Sequence, residues 1–266
     1  MLRGAKLNTQ ITDAQSMRDV LFKGRNAFAA VHADGVGSER YESTVGRAPW
    51  TMSHTVAERA LARVPCGNVL EVGSWTGTGT IRMASVVKAL CTGGRRWPSI
   101  VALDTWLGSP EFYLMGNASW WEDTGFMTKD GVPHGYLQYL FNIKHAHQDD
   151  IVVPFPQSTT IGVKVLFAKG IRFDAIYIDA SHEYEDVWQD LNCFWNLLRS
   201  GGIMFGDDYS AWPGVKRAVD AFASGRGLQL ELAPPVKEWG VAASPSCQRC
   251  KTEWILSPKP MLTENP

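Results

Sequence analysis

Three groups of residues in this 266-residue chain combine side-chain type and spacing in ways that chemistry can use. The first is Glu71-Val-Gly73-Ser74-Trp75-Thr76-Gly77-Thr78-Gly79, where an apolar run breaks into a glycine turn and continues as a helix-like segment. Glycines let a ligand approach the main chain closely, and the first turn of a helix presents N–H groups without intrahelical partners. The spacing is GxxxGxG rather than the GxGxxG of dinucleotide-binding turns, which disfavours a nicotinamide oxidoreductase. An acid two residues before the first glycine suits a cationic ammonium better than a pyrophosphate. Taken alone, the turn is equally compatible with being only a tight turn. The second group is a single residue, Asp104, which closes the next apolar run 27 positions after Gly77. A carboxylate there can accept hydrogen bonds from both ribose hydroxyls of an adenosine. Acid, glycine turn and second acid on successive strand ends together suit a pocket for S-adenosylmethionine, whereas Asp104 alone is equally a solvated acid at a strand end.

The third group joins Asp179-Ala-Ser-His182 to Asp207-Asp208-Tyr209, at the ends of two further apolar runs. Neighbouring strand ends lie about 5 Å apart, so these carboxylates converge at one rim. Three anions there repel one another, and a hard divalent cation such as Mg²⁺ relieves that repulsion. Successive strand residues face opposite ways, so Asp207 and Asp208 can share a cation only where the chain has left strand geometry, as Gly206 permits. His182 then stands where a general base is needed. The alternatives are a helix-start histidine bonded to backbone and a polar turn that caps the next helix.

Positioning these groups requires alternating strands and helices. Strands are expected at Asn68–Val72, Ser99–Leu103, Asp150–Val153, Phe173–Ile178 and Ile203–Phe205, with two late strands at Leu228–Leu232 and Trp254–Leu256. Helices are expected within 14–31, around Ile81–Leu90, along Val187, Leu191, Phe194 and Leu198 up to a stop at Gly201-Gly202, and around Val215–Phe222. The pattern predicts an α/β, Rossmann-like, doubly wound sheet of seven strands that ends in an antiparallel hairpin. It divides into a helical cap, 1–60, and a main domain, 61–266, carrying an insertion at 106–146. Residues 106–141 hold nine aromatics, about a quarter of the positions against 11% overall, and could cover a substrate or form a satellite core.

With 26 basic and 27 acidic side chains, the net charge of −1 supplies no field for nucleic acid or an anionic membrane. No apolar run reaches the roughly 18 residues of a membrane span, and Met1–Thr12 lacks the apolar core of a secretory signal. A soluble, cytoplasmic protein is expected, acting on a small molecule and with a homo-oligomer left open. The five cysteines suggest free thiols in a reducing compartment. Only Cys247-Gln-Arg-Cys250 has metal or redox spacing, and no second ligand pair accompanies it.

Together these residues resemble the class I S-adenosylmethionine-dependent methyltransferases, in the branch with DTWxG and GDDY signatures. Glu71-Val-Gly73-x-x-x-Gly77 is similar to the first motif, and Asp104-Thr105-Trp106-Leu-Gly108 to the second. Ile178-Asp179-x-x-His182-x-Tyr184-Glu185, Asp190-Leu191, Gly201-Gly202, Gly206-Asp-Asp-Tyr209 and Pro213-Gly214-Val215 match later blocks. The resemblance implies cofactor contacts at Glu71, Gly73, Ser74, Thr76, Gly77, Asp104, Thr105, Ser158 and Asp179. By likeness to Mg²⁺-dependent macrolide-sugar and catechol-type O-methyltransferases, it implies Mg²⁺ on Asp179, Asp207 and Asp208, with His182 as base. Gly79 stands where catechol-type relatives usually have serine, and Trp106–Ala146 aligns with no motif.

Overall fold

A computed structural model describes residues 11–37, 39–44, 54–92, 97–108, 128–129, 132–233 and 252–260. Helix α1 (Ala14–Phe22) starts at a capping box, in which Asp13 accepts from the Ser16 N–H and Ser16 accepts from the Asp13 N–H. It stops at Lys23, whose φ of 54° is left-handed. Three two-residue strands follow as a small meander: β1 (Val31–His32), β2 (Gly35–Val36) and β3 (Glu39–Arg40). Helix α2 (His54–Leu61) then leads into the main sheet.

That sheet contains β4 (Val69–Val72), β5 (Ile100–Asp104), β8 (Val152–Pro156), β9 (Phe173–Ile178), β10 (Leu198–Gly206), β11 (Leu230–Leu232) and β12 (Trp254–Leu256). Its order is β11-β12-β10-β9-β4-β5-β8. The five strands from β10 to β8 run parallel, while β12 is antiparallel to both β10 and β11. All four residues of β4 are buried, as a strand covered on both faces requires. Helices α3 (Thr78–Leu90) and α4 (Gly135–His145) contribute Met83, Val87, Tyr139 and Ile143 to one core layer, against Val69, Ala102, Tyr177 and Phe205. Helices α5 (Thr159–Ala168), α6 (Tyr184–Trp195) and α7 (Pro213–Gly225) pack Leu166, Leu191, Phe194, Val219 and Phe222 on the other, against Leu70, Val101 and Ile176. A two-stranded hairpin, β6 (Thr128–Lys129) with β7 (Val132–Pro133), precedes α4. The expected doubly wound sheet of seven strands and its antiparallel end are borne out.

Two local expectations fail. Helix α6 ends at Trp195, well before Gly201-Gly202, and Leu198 opens β10 opposite Phe173. The apolar stripe misleads because Leu198 is buried in either structure. Gly201, with φ at 77°, instead serves the irregularity between Leu198 and Ile203, and a Cβ on Gly202 would stand 2.8 Å from the Asp174 carbonyl. The second failure concerns the thiols. Cys66 and Cys91 form a disulfide, with Cα atoms 5.1 Å apart. Cys66 precedes β4 and Cys91 caps the end of α3, so the return of the helix along its strand brings them together. This removes the cysteine argument for a reducing compartment. Cys247 and Cys250 lie outside the described residues. Among the described residues, no helix is long and apolar enough to cross a membrane.

Candidate active site

The carboxyl ends of β4, β5, β9 and β10 carry all three residue groups. After β4 the chain turns at Gly73 (φ 87°), where a Cβ would lie 2.0 Å from the Asp179 carbonyl oxygen. Only glycine lets the first turn and the end of β9 approach so closely. Gly77 (φ 92°) then starts α3, and no side chain caps that helix's first turn. The uncapped turn and the glycine backbone are the features an adenosylmethionine-sized ligand with a polar head would use.

Asp104 organises this turn from the neighbouring strand. Its Oδ2 accepts from the N–H groups of Ser74 (2.8 Å) and Trp75 (2.9 Å), and its Oδ1 accepts from the Trp106 N–H (2.7 Å). A carboxylate has about four acceptor positions, so Oδ1 retains capacity for a further donor. Glu71 lies on β4, 1% exposed, and accepts from the Thr80 hydroxyl. Burial pushes its carboxyl up to about 8; the hydroxyls of Thr80 and Ser74 oppose that shift, and the charges of Asp179 and Asp104 add to it. A cation bound beside it would favour the ionised form.

Asp179, Asp207 and Asp208 each place a carboxylate oxygen within 4.8 Å of the others. Strand β10 ends at Gly206, and Asp208 has φ at 63°, so the chain has left strand geometry as sharing a cation demands. A Cβ on Gly206 would meet the Ile178 carbonyl and the Trp254 ring at 2.4 Å, which fixes the turn against β9 and β12. Tyr177 donates its hydroxyl to Asp179 Oδ2 (3.1 Å), and the Asp208 N–H donates to Asp207 Oδ1 (2.7 Å). His182 Nε2 meets Asp208 Oδ2 at 3.0 Å, and its ring lies parallel to Trp212 with centroids 4.4 Å apart. Asp207 and Asp208 are buried, whereas His182 keeps part of its surface open. An all-oxygen, threefold anionic set of this size fits a hard divalent cation.

The remaining expected residues are placed less directly. Ser158 accepts from the Ile161 N–H (3.3 Å) as the N-cap of α5, beside the end of β5, where the Gln157 N–H reaches the Asp104 carbonyl. Thr105 is exposed and accepts from the Leu107 N–H (3.2 Å). Ser74 and Thr76 are buried in the turn. From the aromatic segment, Trp106 is fully buried against Tyr136 and Tyr139, at 4.8 and 4.7 Å, and donates to the Trp75 carbonyl. That portion is core packing under the glycine turn. Phe112, Tyr113, Trp120, Trp121 and Phe126 lie outside the described residues. Sequence reasoning missed Thr80, Tyr139, Tyr177 and Trp212. Only Tyr177, two residues before Asp179 on an expected strand, carried a signal, since period-two alternation sends both to one side.

A search among curated proteins finds no match. Among solved structures, cofactor-bound Rv0187 from MTB is 16% identical with a TM-score of 0.54, covering 96% of this chain and 100% of its own. The calicheamicin methyltransferase CalS11 is 20% identical with a TM-score of 0.52, covering 77% and 76%. An O-methyltransferase-like protein from Klebsiella pneumoniae is 16% identical with a TM-score of 0.51, covering 78% and 81%. At such identities the likeness shows the fold. The sequence profile described as a methyltransferase domain matches residues 70–209, more than half of the chain, from within β4 to the turn after β10. The chain therefore belongs to the methyltransferase-domain family.

Proposed function

We propose that this methyltransferase moves a methyl group from S-adenosylmethionine to a hydroxyl oxygen of a small molecule, assisted by Mg²⁺ on Asp179, Asp207 and Asp208. The observation that carries the reading is the contact between the two halves: Gly73 of the donor turn abuts the carbonyl of Asp179, the first acid of the cluster. A donor in the turn and a cation on the acids would therefore meet over one edge of the sheet.

When bound, the donor supplies an electrophilic methyl on a sulfonium, and the cation lowers the pKa of the acceptor hydroxyl and orients it. The protein's own contributions follow from its geometry. Glu71 would balance the ammonium of the donor, and Asp104 Oδ1 would take a ribose hydroxyl while Oδ2 keeps the turn in shape. Thr105 and Ser158, beside the ends of β5 and β8, would flank the adenosine end of the donor. His182 would accept the hydroxyl proton on the ring nitrogen that does not face Asp208, Nε2 being held by Asp208 Oδ2, as the carbon–sulfur bond breaks and the carbon–oxygen bond forms. Trp212, stacked on the imidazole, would hold its plane during that transfer. In this reading residues 61–266 form the catalytic domain and 1–60 an N-terminal cap.

Titration with S-adenosylhomocysteine, with and without Mg²⁺, followed by assay on catechol and sugar-hydroxyl acceptors, tests the proposal. Donor-product binding with no turnover of any acceptor, and a silent Asp208→Ala, would favour a binding protein instead. A cation-independent transfer is the second reading, favoured by the direct contact between His182 and Asp208, since a carboxylate-oriented histidine can act as a base by itself. Turnover that survives exhaustive chelation would select it.

A further inference from the structure

The donor turn is held from a part of the chain that none of its motifs includes. Asn142, on α4, is fully buried and uses its whole amide on other groups. Its Nδ2 donates to the Thr76 carbonyl within the turn and to Thr44 Oγ1, both at 2.8 Å. Its Oδ1 accepts from the Thr44 N–H at 3.1 Å and from Gln138 Nε2 at 3.0 Å. These are the two donors and two acceptor positions that an asparagine amide possesses. Gln138, also buried, donates in addition to the Glu42 carbonyl at 2.8 Å. One side chain thus joins the donor turn, 66 residues before it in sequence, to Thr44, 98 residues before it.

The same helix closes the turn sterically. A Cβ on Gly77 would stand 3.0 Å from Ile143 Cδ1 and from the Tyr139 ring. The Tyr139 hydroxyl donates to Thr80 Oγ1 (3.3 Å), which in turn donates to Glu71. Residues 139, 142 and 143 lie on one face of α4, as their spacing of three and four dictates. That face reaches the turn's entry acid through Thr80, bonds the Thr76 carbonyl directly and packs against Gly77. A buried amide with every position satisfied has one low-energy placement, because any shift strands a polar group away from water.

We infer that Asn142 is a positioning residue for the methyl-donor turn, and that residues 41–44 of the N-terminal segment are its second anchor. The inference rests on the donor-site reading above. It gives the N-terminal segment a task, which is to brace the turn through α4 without touching the ligand. Fixing the Thr76 carbonyl fixes the peptide that leads into Gly77, and with it the start of α3.

The test compares the wild type, Asn142→Leu and Thr44→Val. Each is titrated with S-adenosylhomocysteine at a temperature where it is fully folded, and donor KM and kcat are measured alongside thermal stability. Asn142→Leu is expected to weaken binding by about tenfold or more, with the loss appearing in donor KM more than in kcat. Thr44→Val, which removes only the acceptor at the far anchor, is expected to weaken it about threefold. A lowered melting temperature with unchanged affinity in the folded variants would mean that the amide serves stability alone, and overturns the inference. Should Asn142→Leu fail to fold, an unchanged affinity in Thr44→Val overturns it equally. A wild type that does not bind S-adenosylhomocysteine overturns the donor-site reading itself, and this inference with it.

Discussion

Around the glycine turn, main-chain N–H groups converge on one carboxylate; at the acidic rim, three carboxylates converge on one another. Asp104 gathers the Ser74, Trp75 and Trp106 N–H groups, and Asn142 ties down the Thr76 carbonyl, so the half proposed to hold the donor is shaped by the protein's own hydrogen bonds. Asp179, Asp207 and Asp208 place carboxylate oxygens within 4.8 Å of each other, and Tyr177, the Asp208 N–H and His182 are among the groups that brace them. Like charges at that distance oppose folding until something positive is shared among them. The contrast is between a half preorganised by backbone hydrogen bonds and a half in which carboxylates crowd one another, a crowding that the proposed cation would relieve.

The largest expected effect separates the halves. Asp208→Asn should lower cation-supported turnover by about 10²- to 10³-fold and abolish Mn²⁺ binding, followed by paramagnetic resonance. Affinity for S-adenosylhomocysteine should stay within about twofold, because the donor half does not rely on that side chain. Equal losses in both measurements would show that the halves are one unit. Gly73→Ala attacks the place where they touch. Its Cβ would lie 2.0 Å from the Asp179 carbonyl at a φ of 87°, so strain and overpacking add. Denaturant unfolding should show a loss of about 3 kcal/mol in stability, with the slope unchanged.

The same contrast explains what the sequence made legible. Acids at the ends of apolar runs and glycines at fixed offsets are local signals, so Glu71, Gly73, Gly77, Asp104, Asp179, Asp207 and Asp208 could be placed on one sheet edge from spacing alone. Even the break in strand geometry at Asp208 followed from Gly206 and the alternation rule. The bracing was not legible. Thr44 and Asn142 meet across 98 residues, and Tyr139 and Thr80 across 59, with no periodic pattern to announce either contact. Pairing of Cys66 with Cys91 depends on how far α3 runs back along β4, which a spacing of 25 does not reveal. Leu198 misled because its burial satisfies a helical stripe and a strand equally well.

A pH dependence belongs to the donor half. Glu71 sits near 8 when folded, chiefly through burial, against an ordinary value of 4.5. Between those values the native protein holds a proton that the unfolded chain has released. Its contribution to stability is therefore complete below the lower value and is lost as pH rises through the upper one. A cationic ligand needs the ionised carboxylate, so binding below pH 8 must expel that proton. Affinity for S-adenosylhomocysteine should rise about tenfold per pH unit from 6 to 8 and then level off, and Glu71→Gln should flatten the profile. A flat wild-type profile would mean that Glu71 does not meet the ligand's charge.

The smallest expected effect tests how much the acidic half is itself braced. Tyr177 packs its ring on Phe205, with centroids 5.1 Å apart, and gives its hydroxyl to Asp179 Oδ2. Burial first, then the charges of Asp179 and Asp207, hold its phenol well above the usual range, so the group remains a donor. Tyr177→Phe keeps the ring packing and deletes only that bond. Outer partners of metal ligands typically contribute tenfold or more to affinity, so Mn²⁺ binding should weaken by about tenfold. Donor binding should stay within about twofold, because the deleted bond is made to a carboxylate of the acidic rim and not to the glycine turn. An unaltered Mn²⁺ affinity would show that the crowding of the three acids alone sets their geometry, and would sharpen the contrast with a donor half in which single hydrogen bonds decide position.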